Sequence, residues 1–465
     1  MGQRDIKTTS CSSIIVGTVK SRHSGGSRNP ALSKHLSFYS TILMFVLLIF
    51  FVPYDAGGLA MRGPEHAALP LPQEPKVFLL DVKSLSAVKE EIRSGSQRFA
   101  LPLKGLIKDA EKALLQSPFS VVGKKAVPPS GDRHDYLSQA PYWWPNSKTA
   151  DGLPYVRRDG ERNPATEKIT DHKNMNDTIA NIRTLSLACY FTGDERYAVR
   201  ASFLLRKWFL DEDTRMNPSL NYGQFVPGSR AGRPAGIIET RNLPEIIDAV
   251  GLMGTVKDLA ISERKGLESW FTRYLDWLLN SELGKKERGA KNNHGTWYDA
   301  QVVPIAFFLG RHDLASQVLR DALKKRLAAQ IEPDGRQPLE LARTNAWSYS
   351  LFNLGAFFRL AACGEHLGLN IWDYRTADGR GIRTALDWLI PFASGKMKWP
   401  YGQINGLKKG AAFPLLRQAA VKYQSRVYRQ LAEDVAPLHS KNDRLNLLFP
   451  QIQAAAENLR PTRGR

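Results

Sequence analysis

From Asp177 almost to the C-terminus, apolar residues recur at three- and four-residue spacing, and strand-like alternation is scarce. That period belongs to helices that bury one stripe of their surface. It predicts helices over 177–191, 195–209, 240–253, 263–280, 296–309, 312–329, 345–367, 381–393, 412–432 and 443–458, punctuated by Gly, Pro, Asn and Asp. About ten such helices in successive hairpins close into a toroid or stack into a solenoid. No fixed-period repeat is visible, which favours the toroid. The expected fold is therefore all-α: an (α/α) toroid, an incomplete barrel of helical hairpins, forming a single large domain. Residues 213–236 and 394–411 are the longer loops. Residues 131–163 are aromatic and rich in Gly and Pro without periodicity, and read as an ordered loop. Before them, 77–120 hold a short apolar run, Val77 to Val82, and then helical pattern with charged faces.

The N-terminus has a different character. Leu36 to Val52 is almost wholly apolar, Arg22, Arg28 and Lys34 precede it, and Gly58-Leu59-Ala60 follows. That order matches the basic, apolar and small-residue regions of a secretory signal peptide. The alternative is an uncleaved anchor, since such a run can just span a bilayer. The expected organisation is 1–60 as basic region and signal peptide or anchor, 61–76 as a Pro/Gly/Ala-rich linker, and 77–465 as the catalytic domain. The product is then exported, periplasmic or secreted, and touches a membrane only through 36–52 if that segment is retained.

The chain has 465 residues and a formal net charge of +20, of which residues 1–35 carry +5, so the body itself is basic. Such a charge concentrates polyanions near the surface. No zinc-finger spacing, P-loop or RNA-binding signature favours nucleic acid, and the basic residues are dispersed. Cys189 and Cys363 read as two buried thiols, Cys11 precedes the apolar segment, and no metal cluster is suggested.

Two segments carry chemistry. Lys291-Asn292-Asn293-His294-Gly295-Thr296-Trp297-Tyr298 leads into an apolar helix. Asn at such a start also serves as an N-cap. Gln337-Pro338-Leu339-Glu340-Leu341-Ala342-Arg343 leads into Asn345-Ala346-Trp347-Ser348-Tyr349. An amide and a guanidinium can hold a carboxylate, an imidazole can take a proton, and a phenol can give one. These are the residue types needed to remove a proton from carbon beside a carboxylate. Glu340 is placed to pair with a nearby base or arginine.

Together the two segments resemble the alginate lyase superfamily, polysaccharide lyases with α/α-toroid folds. The resemblance extends through His134-Asp135-Tyr136, Pro141-Tyr142-Trp143-Trp144-Pro145, His172-Lys173-Asn174-Met175-Asn176-Asp177, Asn221-Tyr222-Gly223-Gln224 and Glu239-Thr240-Arg241-Asn242. It covers roughly residues 130–405. It implies that Asn293 and Arg343 bind and neutralise a uronate carboxylate, and that His294 is the base or supports it. Tyr349 would protonate the leaving oxygen and serve as base for one sugar epimer. Arg343 and Tyr349 are six apart, where some members have one residue more, so Tyr349 or Trp347 is the aromatic that faces the cleft. Tyr298, one turn from His294, is a second phenol. Tyr142, Trp143 and Trp144 form a sugar-stacking platform or pack in the core. Asn174, Asn176, Tyr222, Gln224, Arg241, Asn242 and Glu340 are the implied subsite contacts, and Trp399-Pro400-Tyr401 would close over the cleft.

The resemblance implies cleavage of a 1,4-linked polyuronate, alginate first and glucuronan next, by β-elimination with no metal or cofactor. Donors against the carboxylate stabilise the charge that develops when C5 loses its proton, and such preorganised electrostatics is often the largest catalytic term. A nearby Arg or His⁺ would favour a tyrosine phenolate. Two rivals remain. A glycoside hydrolase on a helical toroid would need two carboxylic acids flanking the bond, with Glu239, Glu340 and Asp177 available. A non-catalytic protein that binds acidic polysaccharide would need only the basic surface and the aromatics.

Overall fold

The computed structural model describes residues 74–254, 261–438 and 440–451, without the side chains of 261 and 262. The basic N-terminus, the apolar segment 36–52 and linker residues 61–73 lie outside them. The helices are α1 (Val82–Arg93), α2 (Ala100–Leu115), α3 (Asp171–Thr192), α4 (Glu195–Leu205), α5 (Pro244–Met253), α6 (Ile261–Asn280), α7 (Glu282–Arg288), α8 (Asn293–Phe308), α9 (His312–Ala322), α10 (Ala328–Gln330), α11 (Pro338–Leu341), α12 (Ala346–Glu365), α13 (Ile382–Ala393), α14 (Phe413–Lys422), α15 (Arg426–Asp434) and α16 (Leu445–Leu448).

Their order of contact is that of an α/α toroid. Helices α3, α5, α8, α12 and α14 touch one another in succession and form an inner ring. Each is followed by an outer partner packed against the ring: α4, α6, α9, α13 and α15. The burial pattern separates the two layers. In α8 every residue from Gly295 to Phe307 is buried, and α12 is buried around most of its circumference. In α9 only Ala315, Leu319 and Ala322 are buried, a single stripe at helical spacing. A helix buried on all sides has no solvent face to show, which is why the inner segments read as dense apolar runs.

The expected helices are present, with physical differences at their ends. Helices α4 and α9 each finish in a π-helical turn, Arg206–Leu210 and Leu323–Leu327. The segment read as one helix over 412–432 is two, broken at Tyr423-Gln424-Ser425, where Gln424 takes a left-handed backbone. Of 443–458, the described part holds only the short α16. The run Val77 to Val82 is irregular up to the start of α1, and the amides of Phe78, Leu79 and Leu80 all donate to the buried Asp248 carboxylate of α5. Cys189 and Cys363 are both buried free thiols. Among the described residues no helix is long and apolar enough to cross a membrane.

The long loops bring small strands to one end of the ring. β1 (Leu137–Gln139) pairs in parallel with β4 (Tyr222–Phe225), and β2 (Trp143–Trp144) pairs antiparallel with β3 (Val156–Arg157). With the N-termini of α8 and α12, they surround a cavity.

Candidate active site

The cavity has a volume of about 510 Å³. Asn293 and His294 enter it from the first turn of α8. Asn292 is the N-cap, its side-chain oxygen accepting the His294 amide at 3.3 Å, so the capping role expected of this asparagine pair falls to Asn292. The loop before α8 is fixed from behind. Arg326, in the π turn after α9, pairs with Asp299 at 2.8 Å and donates to the carbonyls of Ala290 (2.8 Å) and Arg288 (2.6 Å). Its guanidinium is 6% exposed, and a buried charge of this kind needs such complete pairing.

His294 Nδ1 lies 2.5 Å from Oε1 of Glu287, a buried carboxylate of α7. A carboxylate only accepts, so it selects the tautomer with the proton on Nδ1 and leaves the Nε2 lone pair outward. Glu340 stands behind Asn293. It accepts the Asn293 backbone amide on Oε1 and the side-chain Nδ2 on Oε2, both at 2.7 Å. Glu340 is therefore not a substrate contact, nor paired with a base or arginine; its oxygens are taken by Asn293, and it is 1% exposed.

Tyr349 reaches the cavity from the first turn of α12. Its hydroxyl is 3.0 Å from that of Tyr142, and the Arg343 guanidinium lies 3.7 Å from its ring centroid. Burial, reinforced by Tyr142, raises the Tyr349 pKa above its usual value despite Arg343. The phenolate expected beside an arginine is thus disfavoured in the resting site, because desolvation outweighs the single cation. Trp347 is fully buried, donates to the Lys408 carbonyl and packs on Trp399, so Tyr349 is the aromatic that faces the cleft.

Arg343 is itself engaged. Asp159, just beyond β3, accepts from its Nη2 at 2.7 Å and its Nε at 3.1 Å. Among the described residues Nη1 has no acceptor, so one nitrogen remains for a ligand. Asp159 also takes the Thr344 hydroxyl at 3.0 Å. The next residue, Gly160, has φ of +76° and sits so close to Thr344 and Asn345 that a side chain would collide with both.

Of the residues expected in the site, Tyr142, Trp143, Gln224, Arg241, Asn293, His294, Arg343 and Tyr349 line the cavity. Gln224 is held there with φ of +48°, in the left-handed region that a non-glycine residue seldom adopts. The others stand elsewhere. Tyr298 is buried beneath the ring and donates to the Leu278 carbonyl at 2.8 Å. Trp144 lies outside the lining, its indole bonded to the Glu161 carbonyl and its ring under Arg158. Asn176 and Asn242 bond each other, and Asn242 also accepts from Arg359; they tie α3 to the turn before α5. Asn174 and Tyr222 are half-buried outside the lining. Trp399 and Tyr401 do not close over the cleft. They pack with Trp347, Trp388 and Phe392 behind α12, while Asn405 from the same loop lines the cavity.

The lining adds residues the sequence did not single out: Arg157, Arg162, His172, Arg233, Asn345, Ser348 and Phe352. Arg233 lies over the Trp143 ring at 5.3 Å. Burial lowers the His172 pKa, although Glu239 acts in the opposite sense. Glu239 is the one carboxylate lining the cavity among the described residues, and it accepts from Tyr136 at 2.7 Å and Ser138 at 2.5 Å. A cleft with several cations and one engaged carboxylate suits an anionic ligand and lacks the carboxylate pair of a glycoside hydrolase.

An α/α toroid with this polar, cationic end is a polysaccharide lyase. The chain belongs to the alginate lyase family, whose model matches residues 120–399. It is 41% identical to an alginate lyase from Bacteroides ovatus of known crystal structure, over 81% of this chain and 99% of that one, with a TM-score of 0.76. Alginate lyase A1-III from Sphingomonas species A1 shares the fold at 15% identity, with a TM-score of 0.51 over 82% of this chain and 99% of that one. Its complex with a tetrasaccharide gives 0.54, over 83% and 100%. No curated protein sequence matches the chain.

Proposed function

We propose that this lyase cleaves alginate at a 1,4-bond by β-elimination, leaving a 4,5-unsaturated uronate end. The observation that carries the reading is the convergence of His294, oriented by Glu287, and Tyr349, whose burial favours the neutral phenol, in one cation-lined cavity. The substrate carboxylate is held between Asn293 and Nη1 of Arg343. Nε2 of His294 takes the C5 proton. Charge then develops on the carboxylate, where the guanidinium stabilises it. Tyr349, kept protonated by burial, gives its proton to the departing C4 oxygen, and Tyr142 holds the phenol in line. A positioned acid or base contributes about 10²–10⁴-fold. Glucuronan offers the same C5 proton, carboxylate and C4 oxygen and is the second substrate to try. The apolar segment 36–52, preceded by basic residues, supports export of the enzyme.

Polymannuronate, polyguluronate and glucuronan should be incubated in parallel while ultraviolet absorbance of the new conjugated double bond is followed. A rise on an alginate polymer supports the proposal and identifies the sugar. A rise on glucuronan alone moves the substrate while keeping the chemistry. Reducing ends without absorbance would overturn elimination.

A further inference from the structure

The side-chain oxygen of Asn293 is buried and has no hydrogen-bond partner among the described residues. Asn293 lines the cavity, and its Nδ2 edge is turned toward Glu340. The planar amide therefore carries Oδ1, an acceptor, on the edge turned away from Glu340. An acceptor opposes a uronate carboxylate, so in this orientation Asn293 repels the group it is best placed to bind.

The amide orientation is dictated by Glu340. An ionised carboxylate accepts on both oxygens, which requires Asn293 to point both its backbone N–H and its Nδ2 at it. A carboxylic acid differs in one respect: one oxygen still accepts, and the other donates.

Building on the function proposed above, we propose that Glu340 and Asn293 form a proton-gated carboxylate receptor. Glu340 takes a proton from solvent onto Oε2 as a uronate carboxylate binds. The Asn293 amide turns over, Oδ1 accepts the Glu340 hydroxyl, and Nδ2 donates into the cleft to the uronate. The bond from the Asn293 backbone amide to Oε1 is unchanged. Every polar atom of the pair then has a partner, and no second carboxylate charge stands behind the uronate. One proton enters per carboxylate bound, and none is consumed.

The surroundings favour such a proton. Burial raises the Glu340 pKa, outweighing the two Asn293 donors, Arg343 and His294, which act in the opposite sense. Arg343, on the same loop, has its charge balanced by Asp159, and His294, on α8, is bonded to Glu287 of α7. Glu340 is a positioning residue in this scheme, acting through Asn293.

The test is calorimetric. Tyr349→Phe protein, whose turnover should be slowed by about 10²–10⁴-fold, is titrated with a uronate tetrasaccharide in buffers of different ionisation enthalpy. The same is done with Tyr349→Phe/Glu340→Gln. The introduced glutamine would keep the acceptor for the backbone amide and present its NH₂ to Oδ1, imitating the protonated acid at every pH. The expected result is one more proton taken up by the first protein than by the second. Its affinity should fall about tenfold per pH unit above the Glu340 titration, while that of the double variant stays flat. Equal uptake by both proteins would overturn the receptor, as would no uptake by the first. Should the double variant fail to fold, Tyr349→Phe/Asn293→Ala serves in its place, and uptake unchanged by loss of the amide would again overturn it. Absence of binding to any uronate would sink the substrate reading and the receptor together, whereas binding with unchanged uptake sinks only the receptor.

Discussion

Arg343 grips Asp159 with two nitrogens, Nη2 at 2.7 Å and Nε at 3.1 Å, while the central carbon of the same guanidinium lies 3.7 Å from the centre of the Tyr349 ring. One arginine thus joins the β2–β3 hairpin to the start of α12 and fixes the phenol between them. The fork geometry that makes arginine a good carboxylate ligand is already used by the protein's own carboxylate, and only Nη1 is left over. Arg343 is as much a strut as a clamp.

Removing the partner of this strut should be visible in stability and in rate. Burial pushes the Asp159 pKa up, but Arg343 and Thr344 more than offset it and hold it at about 2, below its ordinary 3.8. A carboxyl with a depressed folded pKa contributes stability that is full above its unfolded pKa and is lost as pH falls through the folded one. Asp159→Asn should therefore cost on the order of 1 kcal/mol at neutral pH, since water still reaches the pair. The difference from wild type in thermal unfolding should shrink as pH falls from about 4 toward about 2. A stability gap that is constant over that range would mean Asp159 acts through packing alone. Turnover should drop about tenfold or more, because a small displacement of Tyr349 is enough.

Tyr349→Phe deletes one oxygen and little surface. Turnover should fall by about 10²–10⁴-fold with oligosaccharide affinity nearly unchanged. The raised pKa adds a spectroscopic test. Tyrosinate absorbance in an alkaline titration should be the same for wild type and Tyr349→Phe through the ordinary tyrosine range, near pH 10. An extra tyrosinate in the wild type at neutral pH would show instead that the phenolate is the resting form.

Glu287→Gln tests the tautomer of His294. A glutamine can offer its NH₂ to Nδ1 and so draw the proton to Nε2, where it blocks base action. The measured loss should fall on kcat, by at least about tenfold, with KM little changed. A rise in KM alone would place Glu287 in binding rather than in orienting the imidazole.

Arg162, Arg233 and Arg241 line the cavity with no carboxylate partner within ion-pair distance among the described residues. Capture of a polyuronate should weaken as ionic strength rises, since screening lengths shrink to ~8 Å at physiological salt. Arg233→Gln should flatten the dependence of kcat/KM on salt. An unchanged slope would show that Arg233 is not felt by the incoming polymer.

The ring of helices was legible because its period is local: α8 and α12 declare themselves by dense apolar runs between Asn-rich starts. The cleft was only half legible. Tyr298 lies four residues after His294, and on a surface helix that would put both on one face. Helix α8 is buried all round, so one turn further down means under the Leu278 carbonyl rather than in the cleft. Arg162 and Arg233 sit in aperiodic loops, where spacing carries no information about direction. His172 stands in the same stretch as Asn174 and Asn176, and nothing in that stretch tells which of the three side chains turns into the cleft. The partners Asp159 and Glu287 lie far from, or one helix before, the groups they hold, and only folding brings them together.

Gly295 is the position at which sequence, packing and chemistry are most tightly joined. It follows His294, and a Cβ there would run into the Ala290 carbonyl and the Arg326 guanidinium. Both belong to the bracket that fixes the loop before α8: Arg326 bonds the carbonyls of Ala290 and Arg288 and pairs with Asp299. Gly295→Ala would gain helix propensity of up to about 1 kcal/mol, but it must push the guanidinium off its carbonyls, leaving a buried charge short of partners. That loss is larger, about 3–5 kcal/mol when a buried pair is broken outright. The variant should therefore melt well below wild type, and His294 should lose its register against Glu287, so activity per folded molecule should fall as well. A Gly295→Ala enzyme with wild-type melting would show that Arg326 can move aside, and that the loop bearing Asn293 and His294 is held by something other than this bracket.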